Sequence, residues 1–264
     1  MAETASSAYT RDELMIVEAA RQLRSGQSCF VGIGMPSLAS NLARLTHAPD
    51  IILIYESGTI GAKPAILPLS IGDQELAETA DAVVSVPEIF TYWLQGGRIN
   101  IGFLGAAQID RYANINTTVI GGSGYYKPKV RLPGAGGAPE IATSCGEVFI
   151  LLRQNDRSFV DKLDFITSVG HLDGGNARKH LGTRGRGPTR VITDLGILEP
   201  HSETRELVLT RIHPGVTVDE VRAATGWPLK VSADLQQTEP PSQHYLDVMR
   251  DLQERSAKAH AGKA

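Results

Sequence analysis

Ile51-Ile52-Leu53-Ile54-Tyr55, followed by Glu56-Ser57-Gly58, is the stretch on which the fold turns. Five consecutive apolar residues, rich in β-branching, read as a strand buried on both faces, the pattern of a parallel sheet. Ser57-Gly58 ends the strand, since glycine supports a sharp turn that a side chain would forbid. Glu56 therefore stands at the C-terminal edge of a core strand, where open α/β sheets keep their ligand crevice. A carboxylate held there can serve as base, acid or nucleophile. The same spacing also fits a glutamate that has merely reached solvent, and spacing alone favours that plainer reading.

Outward from this strand the chain alternates helices and strands. Thr10-Arg11-Asp12-Glu13 has the spacing of a capping box, and Leu14, Val17 and Leu23 follow at helical intervals until Ser25-Gly26. Cys29-Phe30-Val31 reads as a short strand. After it, Gly32-Ile33-Gly34 turns into a helix with Pro36 in its first turn and Leu38, Leu42 and Leu45 on one face. Further strands are expected at 82–86, 99–104, 148–152, 191–193 and 207–212, and helices at 88–95, 218–225 and 242–255. This order predicts an α/β fold, an open and mainly parallel sheet covered by helices on both faces. Residues 1–9 read as a flexible arm, 10–255 as one domain and 256–264 as a disordered tail. Two Gly-rich stretches, 121–139 and 174–187, interrupt the pattern and read as loops with a task rather than linkers.

Composition narrows the function. At 264 residues, 42% hydrophobic and 21% charged, the chain can bury a sizeable core. A formal net charge of −3 leaves no basic footprint for nucleic acid. No apolar stretch approaches a membrane span and no signal pattern opens the chain, so a cytoplasmic protein is expected. Cys29 and Cys145, far apart and among apolar or small residues, read as reduced core thiols. The seven histidines show no metal-ligand spacing, so no metal site is expected. Gly32-Ile33-Gly34 lacks the third glycine of a dinucleotide fingerprint, and Ser123 in Gly122-Ser123-Gly124 lacks the spacing of a nucleophile elbow.

Leu132-Pro133-Gly134-Ala135-Gly136-Gly137-Ala138-Pro139 is more specific. Consecutive small residues let backbone N–H groups face a ligand, either a phosphate or the oxyanion of an attacked thioester. Upstream, Lys127, Lys129 and Arg131 would share one face of an extended segment and could meet anionic groups; a solvated basic edge fits equally. Asp110, Asn114 and Asn116 read as turn builders.

Together these residues resemble the β (B) subunits of family I coenzyme A transferases, from about Thr10 to the last helix. The likeness rests on Tyr55-Glu56-Ser57-Gly58 through Gly61-Ala62-Lys63-Pro64, on 67–73 (Leu67-Pro68-Leu69-Ser70-Ile71-Gly72-Asp73), on Gly105–Asp110, on Lys127–Pro139 and on Phe165–Gly170. The resemblance implies a three-layer sandwich, with Glu56 as nucleophile and the Gly137 amide in an oxyanion hole. It makes Gly34, Ser57, Gly58, Lys127, Lys129, Gly134, Gly136 and Ala138 the candidate CoA- and substrate-binding positions. It implies CoA thioesters as substrates and no permanently bound cofactor. The implied reaction moves CoA from succinyl-CoA to 3-oxoadipate in aromatic-compound breakdown; glutaconate or another short dicarboxylate is the alternative acceptor. A CoA-thioester hydrolase and a non-catalytic effector-binding domain are the other outcomes weighed, and Glu56 counts against both. The implied partner is an unlike α (A) subunit, in an α2β2 assembly or higher, with Trp93, Tyr125 and Tyr126 as candidate contacts. One departure is Ala113, where relatives commonly carry glycine before Asn114.

Overall fold

Thr10 opens the fold as the sequence predicts. Its hydroxyl accepts from the Glu13 amide and the Glu13 carboxylate accepts from the Thr10 amide, capping helix α1 (Arg11–Arg21). A computed structural model describes residues 9–261, so the predicted arm lies outside the described residues except for Tyr9, which packs against the core. Next come β1 (Ser28–Phe30), α2 (Met35–Leu45), β2 (Ile52–Ile54), β3 (Thr59–Ile60), α3 (Gln74–Glu78) and β4 (Ala82–Val83). Helix α4 (Val86–Glu88) continues as a π-helical turn over Ile89–Leu94 and leads to β5 (Ile101–Leu104). Two small hairpins follow: β6 (Gln108–Ile109) with β7 (Ile115–Asn116), and β8 (Val119–Ile120) with β9 (Val130–Arg131). The second half holds α5 (Ala138–Ser144), β10 (Glu147–Leu151), α6 (Ala177–His180), β11 (Pro188–Ile192), β12 (Gly196–Pro200) and β13 (Leu207–Ile212). It closes with α7 (Val218–Ala223), β14 (Lys230–Gln237) and α8 (Gln243–His260).

The main sheet runs β14-β13-β12-β11-β10-β5-β1-β2-β3-β4. Its centre, β2-β1-β5-β10-β11, is parallel throughout, which requires the helical crossovers the sequence pattern announced. Antiparallel pairs enter on both sides, β2–β3–β4 on one and β11–β12–β13 on the other, so the sheet is mixed at its margins.

Side chains alternate across these strands, and the alternation sorts the core into two layers. Leu53 and Tyr55 join one cluster with Phe103, Phe149 and the inner faces of α1, α2 and α8. Ile54, Leu104, Val148 and Ile150 join the other, with Ile141 and Ala142 of α5 and Val221 of α7. The result is the expected three-layer α/β/α arrangement. Among the described residues no helix is long and apolar enough to cross a membrane.

Several boundaries differ from the sequence reading. Ile52 is 38% exposed, so the strand ahead of Glu56 is not sealed along its whole length. β4 covers only Ala82–Val83, both exposed, because an edge strand has a single neighbour to satisfy. The stretch at 121–139 includes β9, which pairs back onto β8 just before it, rather than being irregular throughout.

The largest correction is at the C-terminus, where α8 runs five residues past Arg255. Ser256 is buried there; its hydroxyl takes the Leu67 N–H at 2.8 Å and donates to the Leu252 carbonyl, while a His260 ring nitrogen meets the Leu67 carbonyl at 2.9 Å. These groups dock the helix end onto the 65–67 segment, and periodicity alone could not reveal such long-range partners. Residues 262–264 lie outside the described residues. Removing residues 256–264 deletes both bonds to the half-buried Leu67 backbone, which should cost about 1–3 kcal/mol in urea unfolding. A change within about 0.5 kcal/mol, ordinary for a surface alteration, would contradict this docking.

Candidate active site

Strand β2 positions Glu56 by its neighbour. Tyr55 is fully buried on the α2 side, its hydroxyl 3.2 Å from that of Ser37 and 3.4 Å from the Asn41 amide nitrogen. Burial pushes the Tyr55 phenol above its ordinary value, so it stays a neutral hydrogen-bonding group. With Tyr55 fixed on one face, the two-residue period sends Glu56 to the opposite face, that of Ile54 and α5. The chain then folds back into β3, closed by Tyr55 N–H to Thr59 carbonyl and Gly58 N–H to Tyr55 carbonyl, each 3.0 Å. Gly58 has φ +108°, and a Cβ there would collide with the Val84 carbonyl oxygen, so this position admits glycine alone. Glu56 thus occupies a tight ββ turn at the sheet's C-terminal edge, half-buried. Among the described residues its carboxylate has no hydrogen-bond or ion-pair partner.

Topology brings the second component to the same place. Helix α5 precedes β10, which is parallel to β5 and β1, so the start of α5 lies at the edge where those strands end. Gly137 forms that start and is buried. A Cβ on Gly137 would sit 2.8 Å from Cζ of Phe90, 3.0 Å from its Cε1 and 3.3 Å from the carboxyl carbon of Glu56. Only a glycine lets the Glu56 carboxylate and the Phe90 ring approach this backbone together. The Gly136 and Gly137 amides have no acceptor among the described residues, whereas the Ala138 amide donates to the Ala135 carbonyl at 3.0 Å. A carboxylate unpaired among the described residues, beside Gly137 with its unused amide, can attack an acyl carbon and hold the oxygen that becomes negative.

The remaining sequence candidates are distributed unevenly. Ser57 and Gly58 share the Glu56 turn, and the Ser57 and Thr59 hydroxyl oxygens are buried without partners. Gly34 caps α2 directly after β1, so it lies at the same sheet edge in the neighbouring loop. Gly134 is tied down by two bonds to Thr117, its amide to the Thr117 carbonyl at 2.9 Å and its carbonyl to the Thr117 hydroxyl at 2.7 Å. Lys127 and Lys129 are exposed on the β8–β9 hairpin, a different element from the Glu56 turn. The extended run on which Lys127, Lys129 and Arg131 would share one face is not present. Only 130–131 is a strand, and Arg131 folds back over Tyr125, 4.7 Å from its ring centre and bonded to its carbonyl. Tyr126 stands 90% exposed, while Trp93 packs partly against the core.

Asp110 and Asn114 are the turn builders the sequence suggested. Asp110 accepts from the amides of Tyr112 and Asn114, and the Asn114 side chain clamps Gly170 and Leu172. Between them, buried Ala113 adopts φ +58°, the left-handed conformation in which glycine is at ease, accounting for the residue type noted at that position. Cys29 and Cys145 are free and buried; burial pushes the Cys29 thiol up to about 12 and the Cys145 thiol further, so neither is a ready nucleophile.

Phe90 and the Thr117 anchor escaped the sequence reading. Phe90 belongs to no chemical motif, and its place beside Gly137 comes from the π-helical turn. The Thr117 amide donates to the Thr167 hydroxyl, so the 115–118 segment links the Gly-rich loop to 165–168. Threonines paired across separate segments carry no signal along the chain.

Known proteins resemble this chain along most of its length. Residues 13–224 match the family model described as Coenzyme A transferase. The chain is 61% identical over 254 residues to the B subunit of 3-oxoadipate CoA-transferase from Pseudomonas knackmussii, covering 96% of this chain and 97% of that one. It is 35% identical over 249 residues to the B subunit of glutaconate CoA-transferase from Acidaminococcus fermentans, covering 92% of each. The crystal structure of glutaconate coenzyme A-transferase from the same organism superposes with a TM-score of 0.85 over 93% of this chain and 95% of that one, at 32% identity.

The tightness at Gly137 is open to direct test. In a crystal structure of Gly137→Ala, the Phe90 ring or the Glu56 carboxylate should move by at least about 0.5 Å, beyond the tolerance of a preorganised site. Unmoved Phe90 and Glu56 would show that the close approach does not require glycine.

Proposed function

The chain belongs to the coenzyme A transferase family, and we propose that it is the B subunit of an enzyme moving CoA from succinyl-CoA to 3-oxoadipate. The observation that carries the chemistry is the approach of Glu56, a carboxylate unpaired among the described residues, to Gly137, whose amide is unused. The acceptor acid rests on the 61% identity to the Pseudomonas protein over nearly the whole chain. Glutaconate or another short dicarboxylate is the second reading, supported by the 35% identity to the Acidaminococcus protein.

In the proposed sequence Glu56 attacks the thioester carbonyl of succinyl-CoA, and the C–S bond breaks to give a mixed anhydride and CoA thiolate. In this scheme the Gly137 amide would donate to the oxygen on which charge develops, and losing one such donor typically costs roughly a hundred- to a thousandfold in rate. The thiolate attacks the glutamyl carbonyl, releasing succinate and leaving a glutamyl-CoA thioester. The acceptor carboxylate attacks that thioester, and the thiolate then attacks the acyl carbonyl of the new anhydride. This forms 3-oxoadipyl-CoA and returns Glu56 as a carboxylate. Both covalent species hydrolyse if water reaches them. The Phe90 ring packed against Gly137 and the buried Ile54 beneath the turn limit access from within the chain.

The open side of the Glu56 turn is where an unlike A subunit would complete the acid and CoA pockets, in a heterotetramer or a higher multiple. The exposed Tyr125 and Tyr126 fit such a contact.

The test mixes this chain with its A subunit and offers succinyl-CoA with a panel of dicarboxylic acids. The highest kcat/KM should fall to 3-oxoadipate, and Glu56→Gln should lower kcat by roughly a thousandfold or more, as loss of a nucleophile does. Preference for another acid would overturn the assigned acceptor, and wild-type rates in Glu56→Gln would overturn the chemistry.

A further inference from the structure

The second Gly- and Arg-rich stretch, 174–187, takes no part in the site at Glu56. It lines a cavity of about 330 Å³ at the opposite edge of the sheet, where β10 and β11 begin. Four walls meet there: His171 with Gly175, helix α6 with Arg178 and Lys179, the 183–189 segment, and Pro200 with Arg205. No Asp or Glu lines it, although acidic residues outnumber basic ones in the chain as a whole.

Charge inside the cavity is unbalanced. Arg178, 7% exposed, spends its guanidinium on main-chain carbonyls, those of Ala142 at 2.6 Å, Gly170 at 2.8 Å and Gly185 at 3.2 Å, with Val169 at 3.5 Å. It has no carboxylate partner among the described residues, and burial alone pushes it down to about 10. Lys179, Arg184 and Arg205 line the cavity without an ion pair among the described residues. Arg186 pairs with Glu147, and Glu206, next to Arg205 in the chain, is held by Lys230 and Arg111. A buried cation without a counter-ion is costly, and further cations at the mouth raise that cost. Arg205 also holds φ +63°, an unfavourable backbone for a long side chain. His171, buried and held to the Pro188 carbonyl at 2.8 Å, is kept from charging chiefly by burial, so it adds a polar wall rather than another cation.

We propose that this cavity binds a small, multiply charged oxyanion, a metabolite bearing phosphate or several carboxylates, at a site separate from the catalytic one. The anion supplies the missing counter-charge near buried Arg178, whose own donors are spent on carbonyls, and would be contacted by Lys179, Arg184 and Arg205; arginine forks suit the planar or tetrahedral oxygens of such groups. The volume is at the low end of small-molecule pockets, which suits an anion of a few carbons better than a whole nucleotide cofactor.

Calorimetry on the complex of this chain with its A subunit tests the site, using pyrophosphate as the phosphate probe and citrate as the carboxylate probe. At least one should bind saturably with Kd below about 1 mM, the range of a few oriented charge-assisted bonds. The one that binds more tightly identifies the ligand chemistry. In Lys179→Ala/Arg184→Ala, whose changes lie at exposed positions, affinity should fall at least about tenfold with unchanged melting temperature. Glu56→Gln should bind the probe as wild type does. Absence of saturable binding, equal binding by the double variant, or competition by CoA would overturn the proposal.

Discussion

The site depends on the two-residue period of a single short strand. Tyr55 is locked against α2 by burial and by its contacts with Ser37 and Asn41, so the next residue has only the other face to occupy. A slip of one residue would bury Glu56 among the α2 hydrophobics, where an unpaired carboxylate is strongly disfavoured, and would expose Tyr55. Hydrophobic register thus places the proposed nucleophile without any polar side-chain contact to hold it among the described residues. The Gly58 turn contributes the remaining constraint by reversing the chain within three residues, against the Val84 backbone.

The parallel centre of the sheet does the complementary work. Because β1, β2, β5 and β10 share a direction, their following loops and the start of α5 gather at one edge. Segments 34, 56–58 and 134–137 are distant in sequence yet converge there. The network from Gly134 through Thr117 to Thr167 holds the Gly-rich loop, so the unused amides near Glu56 belong to an anchored backbone. Preorganised donors of this kind avoid reorganisation as charge develops. The opposite edge carries unpaired cations instead, so the two ends of the sheet differ in chemistry as well as in position.

Much of this was legible along the chain because it rests on local rules. The Thr10 capping box, the apolar run before Glu56 and the glycine turn each involve residues within a few positions of one another. The pairing of Glu56 with the Gly-rich loop became legible only through resemblance, since 81 residues separate Glu56 from Gly137. Phe90 and Ser256 were not legible at all: each owes its role to a partner far away, Gly137 for one and Leu67 for the other. Lys127 and Lys129 show the limit of a pattern read without its backbone. Alternating cations suggest one face only if the backbone is extended, and the hairpin tip is not.

The central claim is that the Glu56 carboxylate becomes covalently acylated during transfer. The most direct measurement incubates the two-subunit enzyme with acyl-CoA, reduces it with borohydride and maps the modified residue by peptide mass spectrometry. The expected result is reduction of the Glu56 side chain to an alcohol, dependent on acyl-CoA and absent when free acid alone is supplied. Modification at another residue, or none in enzyme that is turning over, would contradict it.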